Sequence, residues 1–220
     1  MKRHTPAEVL AAGKTIITAH SGCEATPPNS MEHIKAAIAS LAEMIEVDVR
    51  MAGGTLVLSH DEPADIAACV TLRECFGLVA AAENLHMNID VKTEGLIEPV
   101  MALAKEFGLC ERIIFTGACN GDRALALSLG GDMWRSMWPG QEIADGIAAN
   151  KGDGSPFLNV AYCMITEEND KALREAGFGF SAWTVDKEYF LRLFLRMGIS
   201  NITTRNPVRA MQLRKEIQGI

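Results

Sequence analysis

Short apolar, β-branched runs alternate with helical patterns along almost the whole chain. The helical stretches are about ten residues long, and each separates two runs that have the pattern of buried strands. Because a crossover helix is needed to return the chain to the same edge of a sheet, this alternation predicts parallel strands. About eight such units fit a (β/α)8 TIM barrel, an α/β fold, and a doubly wound open sheet is the alternative.

Each predicted strand contains a short apolar run. The predicted strands comprise 15–20, 44–49, 56–60, 87–91, 113–116, 133–137, 157–160, 178–184 and 201–203. The pattern is weakest at 133–137. The predicted helices between them comprise 31–42, 71–82, 96–107, 123–129, 142–149, 167–176, 187–197 and 207–217. A first helix begins after Thr5, since threonine followed by proline and, three residues on, by Glu8 forms a capping box, and it ends at Gly13.

Length and composition favour one globular domain over 1–220. The 220 residues contain 48% hydrophobic and 22% charged residues, enough to bury a sizeable core. No linker rich in proline, glycine or serine divides the sequence. The six cysteines lie far apart without a Cys-x-x-Cys pair, which favours reduced thiols over a disulfide framework.

The charge and the apolar runs exclude two classes of partner. A net charge of −7 would repel a phosphate backbone, so we do not expect nucleic-acid binding. The apolar runs are shorter than the ~18 residues needed to span a bilayer, and Glu8 interrupts the first of them, so we expect no membrane segment and no secretory leader. These observations predict a cytoplasmic protein. They do not predict its oligomeric state.

Two histidines end predicted strands, the place where parallel α/β folds carry their chemistry. His20 follows the run Ile-Ile-Thr-Ala, and His60 follows Leu-Val-Leu-Ser. Either one alone could equally be a core histidine. An imidazole with an ordinary pKa of about 6.5 can accept or donate a proton near neutral pH, so a pair of them could serve as general base and general acid.

Three carboxylates and a lysine lie at neighbouring strand ends. Glu46 and Asp48 are two residues apart, so strand alternation places them on one face. Asp90 and Lys92 follow the next strand in the same way. Carboxylates this close repel each other unless a cation lies between them, and Mg²⁺ or Ca²⁺ would fit. Lys92 would add positive charge where a phosphate docks. The alternatives are a solvent-exposed strand edge for the first pair and a surface ion pair for the second.

Taken in chain order, these motifs resemble those of the glycerophosphodiester phosphodiesterases, over roughly residues 15–210. Each motif alone is common, but the set, with Glu-x-Asp followed about a dozen residues later by His-Asp, is fairly specific. The matching segments are 20–22 (His-Ser-Gly), 28–30 (Pro-Asn-Ser), 45–49 (Ile-Glu-Val-Asp-Val), 56–61 (Leu-Val-Leu-Ser-His-Asp), 88–92 (Asn-Ile-Asp-Val-Lys), 182–186 (Ala-Trp-Thr-Val-Asp) and 198–207.

The resemblance implies a metal-dependent TIM-barrel enzyme of lipid metabolism. Such an enzyme hydrolyses a glycerophosphodiester, or a similar small phosphodiester, to an alcohol and a phosphomonoester such as glycerol 3-phosphate. By this resemblance His20 and His60 are the general acid and base.

The resemblance also implies roles for residues around them. Glu46, Asp48 and Asp90 would hold one divalent cation, Mg²⁺ or Ca²⁺. Lys92 would contact the phosphate, and Trp183 would line the pocket near the alcohol. From the sequence alone, Trp183 could equally be a core aromatic residue.

The chain also departs from the family pattern. Ser21 replaces an arginine that helps to bind phosphate, and Pro28 leads directly into Asn29 without the usual glutamate. We hypothesise that Arg205 supplies the missing positive charge, since serine cannot. Asp90 replaces a glutamate, as in the related sphingomyelinase D branch.

These departures leave other functions open. A sphingomyelinase-D-like or cyclising phosphodiester lyase is one alternative, and a catalytically silent barrel that binds a phosphate ligand is another. A TIM barrel for an unrelated sugar phosphate is the third. The segment 62–70 is short where many family members carry an insertion, so we also expect an open pocket.

Overall fold

The computed structural model describes residues 3–220 and shows one domain built on a nearly closed parallel barrel. Every predicted strand is present, with ends shifted by a few residues. The strands are β1 Ile16–Ala19, β2 Met44–Ala52, β3 Thr55–Leu58, β4 His86–Val91, β5 Ile113–Gly117, β6 Asp132–Met133, β7 Arg135–Met137, β8 Phe157–Ala161, β9 Gly179–Trp183 and β10 Asn201–Thr204.

Helices connect the strands and cover the outside of the barrel. They are α1 Pro6–Ala11, α2 Met31–Ser40, α3 Leu72–Ala81, α4 Ile97–Glu106, α5 Arg123–Ser128, α6 Ile143–Asp153, α7 Glu167–Glu175, α8 Glu188–Met197 and α9 Pro207–Gln218. The predicted capping box is confirmed, since the Thr5 hydroxyl accepts from the Glu8 amide and the Glu8 carboxylate accepts from the Thr5 amide.

The strand order closes the barrel. It runs β6-β5-β4-β2-β1-β10-β9-β8-β7, and every neighbouring pair is parallel. β6 and β7 are two parts of one stretch interrupted at Trp134, whose amide donates to the Phe115 carbonyl at 2.9 Å. This stretch pairs with β5 on one side and β8 on the other. The TIM-barrel prediction is therefore confirmed, and the open-sheet alternative is wrong.

The strand predicted at 56–60 is not a barrel strand. β3 pairs antiparallel with the far end of β2, from Val49 opposite Leu58 to Ala52 opposite Thr55. Gly53 and Gly54 form the turn, both with positive φ (54° and 79°), as a tight hairpin turn requires. The hairpin extends β2 beyond the barrel and brings His60, two residues after β3, to the mouth.

A chain of buried polar side chains runs through the barrel interior. The Thr18 hydroxyl donates to Asn201 at 2.7 Å, the Asn201 amide donates to Ser181 at 2.9 Å, and the Ser181 hydroxyl donates to Asn159 at 2.8 Å. Each of these groups finds a partner within the barrel, so their burial carries little penalty. The apolar core lies instead between the strands and the surrounding helices.

Two further expectations concern the whole described chain. All six cysteines are free thiols, as expected. Among the helices of residues 3–220, none combines the length and the apolar character that crossing a membrane requires.

Candidate active site

A cavity of about 410 Å³ opens at the carboxyl ends of the strands. All of the residues that the sequence singled out line this cavity, whichever strand or loop carries them. They are His20, Glu46, Asp48, His60, Asp90, Lys92, Trp183 and Arg205. Because these residues are spread over most of the chain, only barrel closure brings them together.

Three carboxylates form the floor of the cavity. Asp48 on β2 lies in register with Asp90 on β4, and Glu46 precedes Asp48 on the same face. One oxygen from each carboxylate lies within 4.8 Å of the other two. As whole residues, Glu46 and Asp48 are only 4% and 5% exposed to solvent, so the interpretation of this pair as a solvent-exposed strand edge is wrong. Three converging carboxylates are the donor set that hard divalent cations prefer.

The Lys92 ammonium lies against two of these carboxylates. Its Nζ is 2.7 Å from Asp48 Oδ1 and 2.5 Å from Asp90 Oδ2, and the side chain is largely buried. Burial disfavours the charged amine, but Asp90 and Asp48 outweigh it and hold the pKa of Lys92 above its usual value. A positive charge is thus already stabilised beside the carboxylates, which shows that this donor set fits a cation and that the pair is not a surface ion pair.

The carboxylates differ in how readily they ionise. Burial, and then the charges of Asp48 and Asp90, raise the pKa of Glu46 well above its usual value. Burial acts in the same direction on Asp48, but the charge of Lys92 and hydrogen bonds from Lys92 and Asn29 outweigh it, so the pKa of Asp48 is lowered. Lys92 therefore compensates little of the negative charge of Glu46. An added cation would reduce the repulsion between Glu46 and the other two carboxylates.

His20 is held in one orientation. Its Nδ1 is 2.8 Å from the Ser21 carbonyl, which can only accept, so we assign the proton to Nδ1. Nε2 then carries the lone pair, and it lies 3.9 Å from Glu46 Oε2. Burial, opposed by the Ser21 hydrogen bond and reinforced by the charge of Arg205, lowers the pKa of His20. The surroundings of His20 thus disfavour the charged imidazole, and the lone pair of Nε2 stays available.

His60 is exposed, so its interpretation as a core histidine is wrong. Its side chain is 67% exposed, and Nδ1 is 3.0 Å from Asp61 Oδ1. The Arg50 guanidinium donates to the His60 carbonyl from Nε and from its terminal nitrogen, at 3.0 and 2.8 Å. The backbone of His60 is thereby fixed to the hairpin while its imidazole stays in contact with solvent.

Arg205 and two tryptophans complete the mouth. The Arg205 side chain is 48% exposed, and its guanidinium donates to Asp186 at 2.8 Å, so its charge is shared. Trp183 ends β9, and its buried Nε1 has no hydrogen-bond partner among residues 3–220. Trp138, which follows β7 and is 43% exposed, lines the same cavity. The sequence did not indicate Trp138, because it follows the weakest predicted strand.

Gly117 is a second residue whose role in the site the sequence did not indicate. It ends β5 with φ +86°, and a Cβ there would lie 2.2 Å from Asp90 Oδ1 and 2.4 Å from the Val91 carbonyl. Only glycine tolerates both the conformation and this contact. The close approach of β5 helps to enclose Asp90. In the sequence, the Thr-Gly pair at the end of a predicted strand was the feature that could have indicated this close approach.

The free edge of β2 reveals two more missed residues. β1 ends at Ala19, so its pairing with β2 stops at Ile45. Side chains replace the missing strand beyond that point: His33 Nε2 lies 3.1 Å from the Glu46 carbonyl, and the Asp48 amide donates to Asn29 Oδ1 at 3.1 Å. His33 is fully buried, which lowers its pKa to about 4. His33 therefore packs directly behind the site.

Sequence comparisons and structure comparisons give different results. No protein-family model matches the sequence, and a search of curated proteins finds no match. Solved structures match over almost the whole chain. A glycerophosphodiester phosphodiesterase from Parabacteroides distasonis has a TM-score of 0.74 at 20% identity, covering 92% of this chain and 98% of its own.

Two other matches extend this result. A candidate glycerophosphoryl diester phosphodiesterase from Agrobacterium tumefaciens has a TM-score of 0.83 at 18% identity, covering 94% of this chain and all of its own. An Oleispira antarctica phosphodiesterase, solved with the product sn-glycerol-3-phosphate, has a TM-score of 0.74 at 17% identity and covers 96% and 99%. The chain therefore has the TIM-barrel fold of glycerophosphodiester phosphodiesterase structures, at a sequence identity of 17–20% in these three matches.

Proposed function

We propose that the protein hydrolyses a glycerophosphodiester, or a similar small phosphodiester, to an alcohol and a phosphomonoester such as glycerol 3-phosphate. One observation carries the proposal: three carboxylates, a lysine and two histidines line a single cavity at the mouth of the barrel. The fold of the neighbouring phosphodiesterase structures, one with glycerol 3-phosphate bound, supports the same reaction class.

Glu46, Asp48 and Asp90 would hold one divalent cation, Mg²⁺ or Ca²⁺. When bound, such a cation draws charge off the non-bridging phosphate oxygens as it accumulates in the transition state. The Lys92 ammonium lies beside the carboxylates and presents a second positive charge to the phosphate. The site therefore combines a seat for the cation with a fixed charge for the anion.

The two histidines differ in a way that suggests their roles. His20 is neutral and held through Nδ1, so its Nε2 would accept the proton of the attacking water as the new P–O bond forms. His60 lies exposed at the mouth of the cavity, where it would donate a proton to the leaving alkoxide as the old P–O bond breaks. Solvent then returns both residues to their starting states.

Trp183 and Trp138 would line the alcohol side of the cavity, and Arg205 would add charge for the phosphate. The exposure of His60 is in line with an open pocket beside the short 62–70 segment. We further propose that the protein acts in lipid metabolism in the cytoplasm; the six free thiols suit such a reducing compartment. The expected partner is a small phosphodiester.

An assay with defined diesters tests the proposal. Protein loaded with Mg²⁺ or Ca²⁺ is incubated with glycerophosphocholine, glycerophosphoethanolamine and a chromogenic bis-aryl phosphate, and the products are identified by ³¹P NMR. A linear phosphomonoester is expected. A cyclic phosphate that accumulates would instead identify the cyclising lyase, and no turnover with any diester and either cation would contradict the proposal.

A catalytically silent phosphate-binding barrel is the second candidate, and one observation favours it. The Ser21 side chain is only 2% exposed and turns away from the mouth, so nothing at that position replaces the family arginine. Arg205 is already paired with Asp186. This candidate predicts that Mg²⁺ or Ca²⁺ raises the melting temperature while no diester in the panel is cleaved.

A further inference from the structure

Ser21 and Asn29 connect the groups of the site from behind. The Ser21 amide donates to Glu46 Oε2 at 2.8 Å, and its carbonyl contacts His20 Nδ1. The Ser21 hydroxyl accepts from the Asn29 amide at 2.9 Å. One residue thus contacts a carboxylate and a histidine of the site, and it fixes the backbone of Asn29.

Asn29 binds Asp48 at two points. Its side-chain nitrogen donates to Asp48 Oδ2 at 2.7 Å, while its side-chain oxygen accepts from the Asp48 amide at 3.1 Å. The other carboxylate oxygen, Oδ1, is the one that Lys92 contacts. The χ2 torsion of aspartate, which rotates the carboxylate, has no sharp preferred value. On the side of Asp48 away from Lys92, it is the hydrogen bond from Asn29 that fixes the orientation of the carboxylate.

The backbone conformation and burial of Asn29 explain its contact with Ser21. Asn29 has φ +55°, a left-handed conformation that asparagine tolerates better than most residues, and it is 7% exposed. Its amide is therefore buried and needs the Ser21 hydroxyl as an acceptor. A serine at position 21 supplies this acceptor, which gives the departure from the family arginine a physical role.

We propose that Asn29 is a positioning residue that orients Asp48 as a cation ligand, and that the Ser21 hydroxyl holds Asn29 in place. The inference rests on the proposed function in one respect: Asp48 must be a cation ligand. Partners that orient a metal ligand typically change cation affinity about 10- to 100-fold when they are removed. A loss of folding stability in a variant that remains folded would not by itself change the cation affinity in this way.

The test measures Mg²⁺ and Ca²⁺ binding by calorimetry on the full chain. Asn29→Gly removes the side chain but keeps the left-handed backbone accessible, so we expect the Kd to rise about 10- to 100-fold. Ser21→Ala should raise it less, about three- to tenfold, because Asn29 remains but loses its acceptor. Thr26→Ala is the matched control, since the Thr26 hydroxyl in the same segment donates to the Cys23 carbonyl; its Kd should stay within about twofold of wild type.

Activity provides a second measurement that a purely structural role would not change. Asn29→Gly should lose diester turnover at low cation concentration and recover most of it at saturating cation, with KM for the diester unchanged. Wild-type cation affinity in Asn29→Gly overturns the inference. If that variant does not fold, by circular dichroism, Ser21→Ala decides, and an unchanged Kd there overturns it.

The outcomes separate the inference from the proposed function. A wild-type protein that binds the cation but cleaves no diester overturns the proposed hydrolysis and leaves the affinity test of Asn29 intact. A wild-type protein that binds neither Mg²⁺ nor Ca²⁺ overturns both. Cation binding with turnover, together with an unaffected Asn29→Gly variant, overturns the inference alone.

Discussion

The two walls of the cavity are built in different ways. On the buried wall, which we define as His20, Glu46 and Asp48, side-chain exposure is 20%, 6% and 7%. On the open wall, defined as His60 and Arg205, it is 67% and 48%. The buried wall is fixed by hydrogen bonds from the segment behind it, whereas the open wall is carried by a hairpin and a loop. The structure thus separates a buried, hydrogen-bonded wall, which carries two of the proposed cation ligands, from an accessible wall that faces solvent.

Removal of His20 is expected to have the largest effect. His20→Ala should lower kcat about 10²- to 10⁴-fold, the usual contribution of a positioned general base. Steady-state kinetics on glycerophosphocholine with saturating Mg²⁺ measure the change, and circular dichroism confirms the fold. Activity within about tenfold of wild type would remove His20 from the reaction.

His60→Ala should lower kcat by a similar factor, but the two variants should differ in rescue. Because the His60 side chain is open to solvent, imidazole added to the buffer should restore part of the activity of His60→Ala. It should restore little in His20→Ala, where the vacated space is largely enclosed. Equal rescue of the two variants would contradict the distinction between the walls.

Lys92→Met should lower kcat/KM about 10²-fold, since it removes a charge aimed at the phosphate. It also leaves Asp48 and Asp90 without their ammonium, so added Mg²⁺ should raise the melting temperature more in this variant than in wild type. Lys92→Arg keeps the charge and is the control. A thermal response identical to wild type would show that Lys92 does not neutralise the two carboxylates.

The free energy of unfolding should depend on pH through His33, which packs behind the buried wall. Burial holds the folded pKa of His33 at about 4, below its unfolded value of about 6.5, so the unfolded chain binds more protons between these values. Stability should therefore fall by roughly 2–3 kcal/mol as the pH drops through this window. Urea unfolding at pH 7 and pH 4.5 measures it. His33→Gln should lose less stability over the same interval, and an equal loss would exclude His33 as a source.

Arg205→Ala should have the smallest effect of the series. Its guanidinium is half exposed and shared with Asp186, so KM for the diester should rise only about two- to fivefold. Arg209→Ala, on the outer face of α9 and paired with Glu188, is the control and should leave KM unchanged. An unchanged KM in Arg205→Ala would dispose of the hypothesis that Arg205 replaces the family arginine.

Local sequence patterns were enough to predict the barrel and the helices but not the direction of every strand. β3 has the same apolar character as the barrel strands, and periodicity does not report whether a strand runs parallel or antiparallel. The stretch that closes the barrel is short and interrupted at Trp134, so its pattern was weak. Closure became visible only through its pairing with β5 and β8.

The site followed the same division. Glu46, Asp48 and Asp90 could be predicted because strand alternation and parallel order place strand ends side by side. Asn29 and His33 could not, because their roles depend on where β1 stops relative to β2. The sequence shows serine at position 21, where the resemblance implies arginine, but it does not show that the Ser21 hydroxyl contacts the Asn29 amide, since that contact needs the folded turn.

The hairpin that leads to His60 is a part of the site that lies outside the barrel. His20 follows a barrel strand, whereas His60 follows β3, so the position of one imidazole relative to the other depends on the hairpin as well as on the barrel. The turn of this hairpin is formed by Gly53 and Gly54, which lie outside the cavity lining. If the protein cleaves diesters as proposed, changes at these glycines would shift His60 against the buried wall without touching the three carboxylates, so altered leaving-group preference would be sought first at this turn.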